Sequence, residues 1–130
     1  EAVIREAPAD VGEALDRLCA VYFDHSLVYL SKAMWRQAMA LSIGAPDTPH
    51  GARYTELDAR LRDQVCALLD RLRARGLVRE DVDTRAVGEM VFNNLNMMFI
   101  EFTKSDRGLP ALKRDVARQN APLARMIAVR

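Results

Sequence analysis

Prolines stand at positions 8, 46, 49, 110 and 122, and between them apolar residues recur at intervals of three, four and seven rather than two. That period lays one apolar stripe along an α-helix, whereas a half-buried strand needs strict alternation, which no stretch of the chain provides. The fold expected is all-α, an antiparallel helical bundle of about five to six helices, with 130 residues making one domain. Half of the residues are hydrophobic and 28% are charged, so the chain lies far from the composition of disordered proteins and order is expected throughout.

The first long segment follows Pro8, with Asp10 as its cap and Val11, Leu15, Leu18, Tyr22 and Tyr29 on one stripe. His25 falls on the same stripe and is expected to face inward. A second segment carries Leu30, Met34, Trp35, Ala38, Met39 and Leu41 and ends at Gly44-Ala45-Pro46; Asp24 or Ser26 is the expected cap between the two, with a bend near His25. Gly44 to Gly51 has turn chemistry and reads as the longest loop. Tyr54, Leu57, Leu61, Val65, Leu68, Leu69 and Leu72 then form a clean amphipathic stripe that ends at Gly76, the natural left-handed cap. Arg71, Arg73 and Arg75 fall in the last turns, where cations suit the helix dipole.

Asp83 caps the next helix, which is expected to run from Thr84 to about Lys104. At about 100° per residue its apolar side chains divide into two arcs. Val87, Val91, Phe92, Leu95, Met98, Phe99 and Phe102 form a wide arc for the core, and Ala86, Met90 and Met97 form a second. A helix that is apolar on two sides needs two partners, and a second copy of the chain is the most economical one. A final helix starts at Pro110 with Leu109, Leu112, Val116, Leu123 and Ile127, and Pro122 is expected to kink or end it. A homodimer through the last two long helices follows, with Ala86, Met90, Met97, Leu112, Val116 and Leu123 at the interface.

Nineteen basic residues against 18 acidic ones leave a net charge of +1, too little to draw in a phosphate backbone or an anionic lipid surface. Cys19 and Cys66 lack CxxC spacing and partner histidines, which suggests neither a disulfide framework nor a zinc site, so a reducing cytoplasm is expected. The longest apolar run, Val91 to Ile100, is interrupted by Asn93, Asn94 and Asn96, and neither a membrane span nor a secretory leader is expected. The chain opens on Glu1 with what reads as the end of a helix, so it is expected to be part of something longer.

Catalytic chemistry has little to work with. No HExxH, GxSxG or Gly-rich phosphate loop occurs, and Asp24, His25, Asp47 and His50 lack metal-ligand spacing, so no cofactor, metal or enzymatic activity is expected. Adaptable apolar surface is plentiful instead. Met34, Met39, Met90, Met97 and Met98 lie in two helices, Trp35 lies beside the first pair, and His25 and Asn94 are polar groups at the edges of apolar stripes. Apolar walls with a few convergent polar groups describe small-molecule sites, so His25, Trp35, Met39, Asn94 and Met98 are the expected lining of a pocket for an apolar or amphipathic ligand.

The run Gly76-Leu77-Val78-Arg79-Glu80-Asp81-Val82-Asp83-Thr84-Arg85-Ala86-Val87, preceded by a leucine-rich helix and followed by Met90-Val91 and Leu95-Asn96-Met97-Met98, resembles the C-terminal domain of TetR-family transcriptional regulators. The resemblance covers nearly the whole chain in helix length and order. It implies a regulator in which this domain binds a small-molecule effector and dimerises, while an N-terminal helix-turn-helix outside these residues binds operator DNA. The alternative is a helical protein interaction module without a pocket, and the enclosed volume separates the two.

Overall fold

A computed structural model describes residues 2–129, the side chains of residues 2 and 29 excepted. Its elements in chain order are α1 (Ala2–Arg5), α2 (Val11–Tyr29), α3 (Lys32–Gly44), α4 (Pro49–Ala74), α5 (Thr84–Thr103) and α6 (Leu109–Ile127). Among the described residues β pairing is confined to an isolated antiparallel bridge between Val78 and Ala128. The expected all-α bundle is the fold observed.

Side-chain oxygens set most helix starts by accepting an N–H that the helix itself leaves unpaired. The N–H of Glu13 donates to Asp10 at 2.8 Å, that of Met34 to Ser31 at 3.3 Å, that of Gly51 to Thr48 at 3.2 Å and that of Ala86 to Asp83 at 3.0 Å. Gly76, at φ 78°, closes α4: its N–H donates to the Arg73 carbonyl at 3.0 Å and the Leu77 N–H to Leu72 at 2.9 Å. Arg73 and Arg75 do more than suit the dipole. They donate to the carbonyls of Val82 at 2.8 Å and Ala7 at 2.6 Å, fastening both flanking segments to the end of α4.

Three boundaries differ from the sequence expectation. The break between α2 and α3 lies at Leu30 and Ser31, not near His25. Ser26 is no cap; its hydroxyl donates to the Tyr22 carbonyl at 2.8 Å, which keeps serine inside a helix. The supposed loop from Gly44 to Gly51 shrinks to residues 45–48, because Thr48 caps α4 and Pro49, which has no N–H to lose, starts it, taking His50 into the first turn. Pro122 neither ends nor splits α6. It is exposed, while Asn120, Ala124 and Ile127 on either side are buried and hold the helix to the core at the cost of one hydrogen bond.

Helices α2 and α6 run antiparallel, with a Cβ built on Gly12 lying 3.5 Å from Ala124, the Asn120 amide donating to Asp16 at 3.1 Å and the Lys113 ammonium to Asp24 at 2.8 Å. Helices α4 and α5 meet at Gly88, where a Cβ would fall on the Cys66 sulfur and 3.0 Å from the Cys66 Cα. Only glycine permits that approach. Between these pairs sits the core, in which Phe23 and Phe99 stack at 5.9 Å and 10° and Leu15, Leu68, Leu69 and Leu72 are at most 1% exposed. Each such leucine or phenylalanine contributes about 1.5–3 kcal/mol by leaving water.

At the far end the Arg79 N–H donates to Ile127 and the Val129 N–H to Leu77, both at 3.0 Å. The C-terminal end of α6 therefore returns to the turn before α5, and α5 and α6 lie antiparallel.

Candidate functional site

The last turns of α2, the start of α3 and the first half of α4 surround an open cleft of about 660 Å³. From α2 it is lined by Tyr22, His25, Ser26 and, past the helix end, Leu30; from α3 by Trp35; and from α4 by residues between Arg53 and Gln64. Its position follows from the break at Leu30 and Ser31. The turn carries α3 away from α2, and the Trp35 indole N–H, donating to the Ser26 carbonyl at 3.0 Å, holds the ring at the opening thus made. Lys32 pins the start of α3 by donating to the carbonyls of Ser105 and Arg107 at 2.8 and 2.5 Å, with its ammonium 4.0 Å from the centre of the Phe102 ring.

The back of the cleft is aromatic. Trp35 meets Phe99 edge-on at 5.7 Å and Tyr54 at 6.2 Å, while Tyr22 meets Phe99 at 6.0 Å. Such pairs are worth about 0.5–1.5 kcal/mol beyond burial and fix ring orientation. Burial, reinforced by the nearby Asp58 carboxylate, pushes the Tyr22 hydroxyl up to about 12 and raises that of Tyr54 as well. Both phenols stay protonated and able to donate.

Asp58 is the residue that sequence reasoning missed. It lies four residues after Tyr54 and three before Leu61, hence on the apolar stripe of α4, and it is half-buried in the cleft. Burial pushes its carboxyl up to about 6, against the pull of Arg62. Arg53 and Arg60 bond Glu56 instead, at 3.3 and 2.8 Å, while Arg62, which acts on Asp58, also lies over the Phe92 ring, 4.7 Å from its centre. A charged residue interrupting an apolar stripe was the signal available in the sequence.

Of the expected pocket residues, His25 and Trp35 line this cleft and Met39, Asn94 and Met98 do not. His25 is exposed at the rim rather than turned inward. Met39 is buried on the seam with α5, where the Thr103 hydroxyl lies 4.0 Å from its sulfur. Asn94 is exposed, its amide pointing to the Met98 sulfur at 3.6 Å, so it needs no buried partner. The second wall of the cleft is α4 instead of α5, because the wide arc of α5 is spent on the core and contributes only Phe99 behind the opening.

The expected interface residues also separate. Met90 and Met97 are 61% and 55% exposed, and Ala86 is exposed on the same helix. Leu112 and Val116, by contrast, are buried within the bundle and Leu123 is half-buried. A stripe that faces a helix's own core has the same period as one facing a partner, which is why the two were not told apart. Met126, 67% exposed at the end of α6, was overlooked.

Both cysteines are free and buried. Burial pushes the Cys19 thiol up to about 12 and raises that of Cys66, so neither is a ready thiolate. Among the described residues no group of three or more His, Cys, Asp and Glu is placed to hold a metal, and no helix is long and apolar enough to cross a membrane. No family model, curated protein or solved structure matches the chain.

Proposed function

We propose that this chain is the effector-sensing and dimerising domain of a TetR-like transcriptional repressor, which takes a small, mostly apolar ligand into the cleft between α2, α3 and α4. The observation that carries this reading is the cleft itself: a volume of about 660 Å³ lies within the range of small-molecule sites, and aromatic walls with a few polar groups are their usual lining. An adaptor with no pocket has no use for it. Helix α4 supplies one wall, and its far end holds the N-terminal segment through Arg75 and Ala7. A ligand that displaced α4 would thereby act on the end of the chain beyond which the operator-reading part would lie. The exposed apolar side chains Ala86, Met90, Met97 and Met126 support dimerisation through α5 and α6.

Trp35 is the one tryptophan of the chain and lies in the cleft, so its emission reports occupancy directly. The test uses N-phenyl-1-naphthylamine, a neutral apolar fluorophore that accepts tryptophan emission. Saturable quenching of Trp35 at one probe per chain, lost in Leu57→Arg, is the expected result. Absence of saturable binding, or binding indifferent to Leu57→Arg, would overturn the assignment.

A further inference from the structure

We infer that the cleft selects amphipathic cations, its ligand carrying a positive charge on a bulky apolar or aromatic body, with the charge against the Asp58 carboxylate and the body against Trp35 and Tyr54. This rests on the reading of the cleft as a ligand site and adds the sign of the charge. The geometry supplies three grounds. Asp58 is half-buried in the cleft, on the face of α4 that carries Tyr54 and runs into the core at Leu61, so its carboxylate is set among apolar and aromatic side chains. The rings beside it are electron-rich surfaces that attract cations. The arginines that line the cleft do not neutralise it: the side chains of Arg53 and Arg60 are 56% and 62% exposed and share Glu56, which places them in the solvent-screened mouth, and Arg62, outside the lining, pulls the Asp58 carboxyl down by less than burial raises it.

Burial has already raised the Asp58 carboxyl to about 6, so at neutral pH it carries a charge that its surroundings hold only weakly. A bound cation would relieve that condition, and a bound anion would worsen it. The groups facing Asp58 are the phenols of Tyr22 and Tyr54 and the Arg62 guanidinium, with His25 across the cleft on α2. Affinity for a permanently charged cation should therefore rise as pH increases through about 6. The profile is repeated in His25→Gln, and a pH dependence unchanged by that substitution assigns it to Asp58.

The experiment titrates the protein with tetraphenylphosphonium, tetraphenylborate and neutral triphenylphosphine oxide, following Trp35 emission and heat. The first two probes share size and shape and differ in sign. Tetraphenylphosphonium is expected to bind at least tenfold more tightly than tetraphenylborate. Asp58→Asn should remove that preference while leaving the neutral probe within about twofold, and Asp58→Glu should restore it. Equal binding of both ions, preference for the borate, or a cation preference that survives Asp58→Asn would overturn the inference and leave the ligand site standing. Failure of all three probes to bind would overturn both.

Discussion

The two sides of this bundle are built differently. Helix α5 buries eight of its 20 residues, several of them aromatic, whereas α3 buries one of 13, Met39. On the first side α2, α4, α5 and α6 interlock through stacked rings, close glycine contacts and a buried amide. On the other side α3 turns only Met39 and Trp35 inward and adds polar ties: Lys32 to the α5–α6 turn, Arg36 to the Thr103 carbonyl at 2.5 Å, and the Trp35 indole to Ser26. Ties of that kind preserve position without filling volume, and the volume left unfilled is the cleft. From that difference in burial, stability is expected to concentrate in the first half of the molecule and local opening in the second.

The sharpest way to break the contrast is to truncate a ring in the tight half. Phe23→Ala should cost about 3–5 kcal/mol in denaturant unfolding, the range for a buried phenylalanine, whereas Leu57→Ala, at a residue 41% exposed in the cleft, should stay within about 0.5 kcal/mol. Comparable losses at the two positions would erase the distinction. At the α5 surface, Met90→Asp should shift sedimentation from dimer to monomer, since an unpaired charge buried in an interface costs several kcal/mol. A wild-type chain that sediments as a monomer at micromolar concentration would remove the dimer from the account. Gly88→Ala should destabilise by about 1–3 kcal/mol, as overpacking does, because its Cβ would occupy the place of the Cys66 side chain.

The smallest effect has an informative sign. Because burial raises the folded-state pKa of Asp58 above its unfolded value, the folded protein binds more protons between the two, and the contribution of this group to stability falls as pH rises through that window to about 6. After allowance for solvent screening of a half-exposed carboxyl, Asp58→Asn should be more stable than wild type by about 1 kcal/mol at pH 7.5. The advantage should shrink as pH falls below about 6 and vanish by about pH 3, below the unfolded-state value of 3.8, where wild-type Asp58 is protonated in both states. Thermal melts at the two pH values check this, and a variant less stable than wild type at pH 7.5 would show that Asp58 is held by its neighbours rather than strained by them.

Features fixed by local chemistry were readable in the sequence. Asp10 and Asp83 cap as expected, and Gly76 takes the left-handed turn, because each solves a problem within four residues of itself. The break between α2 and α3 was not readable, since Asp24, Ser26 and Ser31 are equally able to cap and the choice is made by residues far along the chain, at Ser105 and Arg107. Pro122 misled because its cost is local while the burial that overrides it, at Ala124 and Ile127, is tertiary. Of the five residues expected to share one pocket, the cleft brings together Trp35 and His25 with α4 rather than with Asn94 and Met98 of α5, because periodicity alone cannot tell which neighbour an apolar arc meets. Asp58 was legible as an interruption of the α4 stripe, and only the cleft gives that interruption a meaning.

The claim that the cleft between α2, α3 and α4 receives the ligand is tested most directly by amide hydrogen exchange on the protein free and saturated with N-phenyl-1-naphthylamine. Without probe, α3 should exchange faster than α5, following their difference in burial. With probe, new protection is expected at residues 22–30, at Trp35 and its neighbours, and at residues 53–64. Protection confined to α5 and α6, or no change at the cleft under saturating probe, would contradict the account.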